Sequence, residues 1–116
     1  MKRFRLQSVL DFRKKRVELA QKTLAICLEE KKTLDERIEM RQKELQSLRG
    51  ELDDTKRNKI VLSELMLFED CIDYKKEQLQ DTRRKLQEVC IQIERRRKEL
   101  LKARQESKAL EIIKEA

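Results

Sequence analysis

The sequence predicts an all-α fold, two long helices packed as an antiparallel coiled-coil hairpin. Two apolar series and one compositional bias predict it. Taken every seventh residue, one stretch reads Leu65, Ile72, Leu79, Leu86, Ile93, Leu100, with Val61, Phe68, Val89 and Ala103 offset by three or four. An earlier stretch repeats the pattern as Leu10, Val17, Leu24, Lys31, Ile38, Leu45, Leu52 and as Leu6, Arg13, Ala20, Cys27, Leu34, Arg41, Leu48. Apolar residues at two of every seven positions keep one narrow stripe facing a partner helix. Charged residues make up 46% of the chain and aromatics 3%, with one Gly and no Pro, too little apolar bulk for a globular core and too few turn residues for short elements.

The first series places helix 1 over about 3–50. Gly50 is the only glycine, and Gly is favoured just past a helix end. Asp53, Asp54 and Thr55 follow, all good N-caps. The turn is therefore expected within 50–59 and helix 2 over about 57–113, all in one domain spanning 1–116. A short connection between long helices implies antiparallel packing.

Two registers are available to such a pair. One sets Leu52 against Val61, Leu45 against Phe68, Leu34 against Leu79, Leu24 against Val89 and Lys31 against Thr82. A slide of one heptad would instead put Leu45 on Lys75 and Ile38 on Thr82. The first matches more like with like, and its one polar pair would help to fix it, so it is the expected register. It also sets Arg13 against Leu100. The seam cations Arg13, Arg41, Lys75 and Arg96 can pack their stems and release their charges to solvent.

Charge divides along this hairpin. Residues 31–84 hold 13 basic and 13 acidic residues, whereas residues 1–30 hold 8 and 4 and residues 85–116 hold 9 and 6. The whole excess of +7 thus falls on the end where the termini meet. Its densest clusters are Arg13-Lys14-Lys15-Arg16 and Arg95-Arg96-Arg97-Lys98, expected side by side. A rod basic at one end points to an acidic partner there; the alternative is an ordinary solvated, ion-paired helix surface.

A further apolar row lies off the helix 1 seam: Phe12, Leu19, Ile26 and Met40, with Thr33 completing it. On helix 2, Met66, Leu67 and Tyr74 also point outward. Exposed apolar rows on a charged rod are candidate docking surfaces, unless a third helix or a second copy covers them.

Much chemistry is excluded. There is no histidine and no phosphate-cradling GxxxxGK[ST] loop. A narrow two-helix rod offers no enclosed pocket to perturb the remaining acids and bases, so enzymatic activity is not expected and no cofactor is implied. Cys27, Cys71 and Cys90 form no CxxC pair and read as reduced thiols rather than a metal or disulfide site. The basic opening lacks the apolar run of a signal peptide, and no stretch approaches a membrane span. The expectation is a soluble, cytoplasmic chain.

The opening Phe4-Arg5-Leu6-Gln7-Ser8-Val9-Leu10-Asp11-Phe12-Arg13 resembles the start of the FliJ family of flagellar type III export proteins, with its F-x-L-x-x-[VL]-L-x-x-R segment. Tyr74-Lys75-Lys76-Glu77-Gln78-Leu79 resembles that family's tyrosine-bearing second helix, and Arg104-Gln105-Glu106-Ser107-Lys108-Ala109-Leu110 its closing segment. The resemblance implies a nonenzymatic coiled coil similar to the γ stalk of rotary ATP synthases. It implies insertion of the terminus-bearing end into the flagellar export ATPase hexamer, promotion of ring assembly, and coupling to the export gate protein FlhA and to export chaperones. It implies a cytoplasmic location, peripheral at the inner-membrane export apparatus. Helix geometry, rather than the resemblance, nominates Arg13, Lys14, Lys15, Arg16, Arg95, Arg96, Arg97 and Lys98 for the ring, and Phe12, Leu19, Ile26, Met40, Met66, Leu67 and Tyr74 for gate or chaperone docking.

Other readings stay open. A stalk of a virulence type III system is a near relative. A nucleic-acid-binding coiled coil would use the same basic clusters, but lacks base-stacking aromatics beyond Phe4, Phe12, Phe68 and Tyr74, which argues against nucleic acid as a partner. A scaffold fragment forming a long parallel dimer is opposed by the Gly50-Asp53-Asp54 break.

Overall fold

The computed structural model describes the backbone of residues 2–115 and the side chains from Arg5 to Glu115. Among the described residues there are two helices, α1 (Lys2–Arg57) and α2 (Leu62–Glu115), and no strand. They pack antiparallel, as the short connection between them implies. Phe4, the aromatic of the opening motif, has its side chain outside the described residues.

Helix α1 does not stop at Gly50. It runs seven residues further, because the seam continues to reward it: Leu52 is buried in a cluster with Leu45, Ile72 and Leu79. Gly50 sits inside the helix without a positive φ, and a Cβ placed there would meet nothing within 4 Å. Glycine there costs about 0.5–1 kcal/mol relative to alanine, less than burying Leu52 returns. Asp53, Asp54 and Thr55 are helical rather than capping, and the Thr55 hydroxyl donates back to the Glu51 carbonyl at 2.8 Å.

The connection occupies 58–61. The Asn58 amide donates to the Thr55 carbonyl at 3.1 Å, and Lys59 turns the chain with a φ of 64°. A left-handed residue just past a helix end is the usual termination, although lysine fills it less comfortably than glycine. The Leu65 amide then donates to the Val61 carbonyl at 3.0 Å, opening α2. Val61, expected in the seam, is 62% exposed, since it now belongs to the connection; Ile60 packs against the cluster instead.

The chain divides into two packed units. The terminal unit joins residues 1–30 to residues 89–116, and the turn unit comprises residues 31–88. The terminal unit buries Leu10, Cys27, Val89, Ile93, Leu100, Ala103 and Leu110 together with Ser107. The turn unit buries Leu34, Leu45, Leu52, Ile72, Leu79 and Thr82, with Ile38, Leu48, Leu65 and Phe68 packed against them. Ser107 and Leu110 extend the α2 seam by one heptad beyond the sequence reading, which ended at Ala103.

The register is the slid one. Within the terminal unit the Arg13 guanidinium donates to the Glu106 carbonyl at 2.8 Å, and Lys14 pairs with Glu111 at 3.8 Å. Within the turn unit Lys75 pairs with Glu44 at 3.0 Å. The expected register would have set each of these pairs about 10 Å farther apart along the helix axis, one heptad at 1.5 Å per residue. In the observed one Leu10 is level with Leu110, both buried, and Arg13 is level with Ser107 rather than with Leu100. Lys75, level with Leu45, leans out to Glu44.

Candidate partner-binding surfaces

The seam turns each helix so that its remaining positions face outward, and those positions hold the candidate binding groups. In the terminal unit the basic run 13–16 meets Glu106 and Glu111 of α2. Arg13 is half-buried on the Glu106 carbonyl, Lys14 pairs with Glu111, and Arg16 with Glu106 at 3.8 Å. Lys15 is exposed and makes no ion pair among the described residues.

The second basic run, Arg95 to Lys98, is not beside the first. Arg96 lies half-buried near Cys27, bonded to Glu99 at 3.0 Å, and that bond holds its guanidinium above its ordinary pKa. The register therefore separates the two clusters by about 13 Å along the helices, some nine residues at 1.5 Å each. The expected juxtaposition fails because it depended on Arg13 facing Leu100. Arg96 is half-buried with its guanidinium turned to the exposed Glu99, and its Nε is buried without a hydrogen-bond partner. Arg95, Arg97 and Lys98 are exposed and without an ion pair among the described residues.

Charge remains segregated between the units. The terminal unit carries sixteen basic and nine acidic residues, the turn unit fourteen of each. Solvated cations with no local acidic neighbour repel one another and attract polyanionic surfaces over roughly a Debye length, about 8 Å at physiological salt.

The outward apolar residues are where helix geometry placed them. Phe12, Leu19 and Ile26 on the terminal unit are each more than 60% exposed. Met40, Met66, Leu67 and Tyr74 are exposed on the turn unit, and the Tyr74 hydroxyl accepts from Gln78 at 2.8 Å. Sequence reasoning missed Leu62, Ile91, Leu101, Ile112 and Ile113, all exposed. Leu62 was obscured by the misplaced turn. The others sit at positions with no heptad repetition of their own, so periodicity carried no signal for them. No helix of the described residues is long and apolar enough to cross a membrane, and no group of His, Cys, Asp or Glu among them is disposed to hold a metal.

A sequence model of the family described as Flagellar FliJ protein matches residues 1–116, the whole chain. The chain belongs to the FliJ family. No curated protein and no solved structure matches it. The N-terminal decamer, the Tyr74 segment and the closing segment thus resemble FliJ because the chain is a family member. FliJ family membership makes the chain a component of the flagellar export apparatus.

Proposed function

We propose that this FliJ family member is a stalk and adaptor that binds the flagellar export ATPase ring through its terminal unit, promotes ring assembly, and couples the ring to the export gate and export chaperones. One observation carries the reading: the charge excess lies wholly in the terminal unit, where Lys15, Arg95, Arg97 and Lys98 remain free of ion pairs among the described residues. Arg13, Lys14, Arg16 and Arg96 are engaged by Glu106, Glu111 and Glu99, so they position the helices and would meet a partner only by exchanging those contacts. The balanced turn unit suits a less charged partner, with Met40, Met66, Leu67 and Tyr74 as docking contacts for the gate protein FlhA or a chaperone. Phe12, Leu19 and Ile26 offer a second apolar contact beside the cations. A cytoplasmic position, peripheral at the inner-membrane apparatus, follows from those partners.

The test is to add the chain to its export ATPase and follow ATP hydrolysis and oligomer size. Both rise with the parent protein. The triple reversal Arg95→Glu, Arg97→Glu and Lys98→Glu lowers both at least several-fold while helix content by circular dichroism is retained. An undiminished response overturns the ring-binding assignment. Tight binding to duplex DNA at moderate salt, steeply weakened as salt rises, would favour the nucleic-acid reading instead.

A further inference from the structure

The two units of the helix pair favour opposite registers. In the terminal unit the observed register sets Leu10 level with Leu110, Val17 with Ala103, Ala20 with Leu100, Cys27 with Ile93, and Arg13 with Ser107. Leu24, level with Arg96, and Leu6, level with Lys114, meet a charge. One heptad away, Arg13 would face Leu100, Val17 would face Arg96 and Leu6 would face Ser107.

The turn unit reads the other way. Its observed register sets Leu34 level with Leu86, Leu48 with Ile72 and Leu52 with Phe68, but also Ile38 with Thr82, Arg41 with Leu79, Leu45 with Lys75 and Thr55 with Leu65. The neighbouring register would set Lys31 level with Thr82, Leu34 with Leu79, Leu45 with Phe68, Leu48 with Leu65 and Leu52 with Val61, against the mismatch of Ile38 with Lys75. Arg41 and Lys75 meet apolar residues in both. Like faces like more often in the register the molecule does not show, and seam pairing of that kind is what specifies register.

The connection points the same way. Sliding by one heptad moves the turn three to four residues toward the N-terminus, onto Asp53-Asp54-Thr55-Lys56-Arg57-Asn58. That segment has turn and capping chemistry, yet it is mostly helical, while the turn falls where Lys59 must take a positive φ of 64°. Gly50, one turn upstream, has no packing role in the observed helix.

We propose that the helix pair is a two-register device, in which α1 and α2 exchange between the observed register and one a heptad away. The Arg13 bond to the Glu106 carbonyl and the ion pairs of Lys14 and Arg16 latch the observed state. An acidic partner that captures these three cations opens the latch and moves the connection along the axis. The device is a property of the isolated chain and does not depend on which partner the terminal unit binds.

The test is a spin-label distance measurement on the full chain in a Cys27→Ala, Cys71→Ser, Cys90→Ser background, with labels at Arg49→Cys and Arg84→Cys. Both label sites are exposed in the turn unit. Sliding lengthens their separation by about 10 Å, seven residues at 1.5 Å. Arg13→Leu pairs with Leu100 in the slid state and removes the Arg13 arm of the latch, so the longer distance appears or grows several-fold. Lys14→Glu with Arg16→Glu breaks the two ion-pair arms and leaves the seam intact, and gives the same direction. Thr82→Leu faces Ile38 in the observed state and Lys31 in the slid one, and abolishes the longer distance. A single short distance in both latch variants, with helix content retained, overturns the device. So does a longer component that Thr82→Leu leaves unchanged.

Discussion

The terminal and turn units share a heptad seam and the same two helices, yet they present different surfaces. The terminal unit carries the whole charge excess and spends part of its cations on Glu106 and Glu111. The turn unit is balanced and has a contiguous cluster in which Leu45, Leu52, Ile72 and Leu79 are enclosed by five partly buried neighbours. Seam chemistry makes the two halves alike as structure. Outward chemistry makes them unlike as surfaces.

Truncations in the seam sharpen the comparison most. Leu79→Ala empties the turn-unit cluster and should cost about 2–4 kcal/mol, read as a fall in thermal midpoint. Leu10→Ala, near a chain end, should cost less than half as much, since local opening of a helix end caps what a terminal residue can contribute. Equal losses would show that the terminal unit is as firmly held as the turn unit. Arg13→Ala removes a charged donor from the Glu106 carbonyl and should destabilise by about 1–2 kcal/mol in a denaturant titration. Gly50→Ala should raise stability by about 0.5–1 kcal/mol, because the added methyl meets nothing and the unfolded chain loses freedom. Glu44→Gln should change stability by less than about 1 kcal/mol, an effect fading with added salt, since the Lys75 partner is substantially solvated.

The heptad series showed the helices, their antiparallel sense and most of the buried residues from sequence alone. The turn was less legible. Gly50 and the Asp53-Asp54 pair carry real helix-ending propensity, and tertiary burial of Leu52 overrides it. Register was misread because side-chain matching across the turn unit favours the neighbouring alignment, while the contacts that decide against it, such as Arg13 to the Glu106 carbonyl, involve a backbone atom that no pattern of side chains reveals. The segregation of charge was visible in the residue order. Which cations remain free was not, since Lys14 and Arg16 look no different in sequence from Lys15 until Glu111 and Glu106 are set beside them.

The most direct test sets one unit against the other. Affinity for the export ATPase would be measured for two triple reversals, Arg95→Glu/Arg97→Glu/Lys98→Glu in the terminal unit and Lys43→Glu/Lys76→Glu/Arg83→Glu in the turn unit. The account predicts that the first weakens binding at least tenfold and the second less than twofold. Comparable losses from both, or a greater loss from the second, would contradict it.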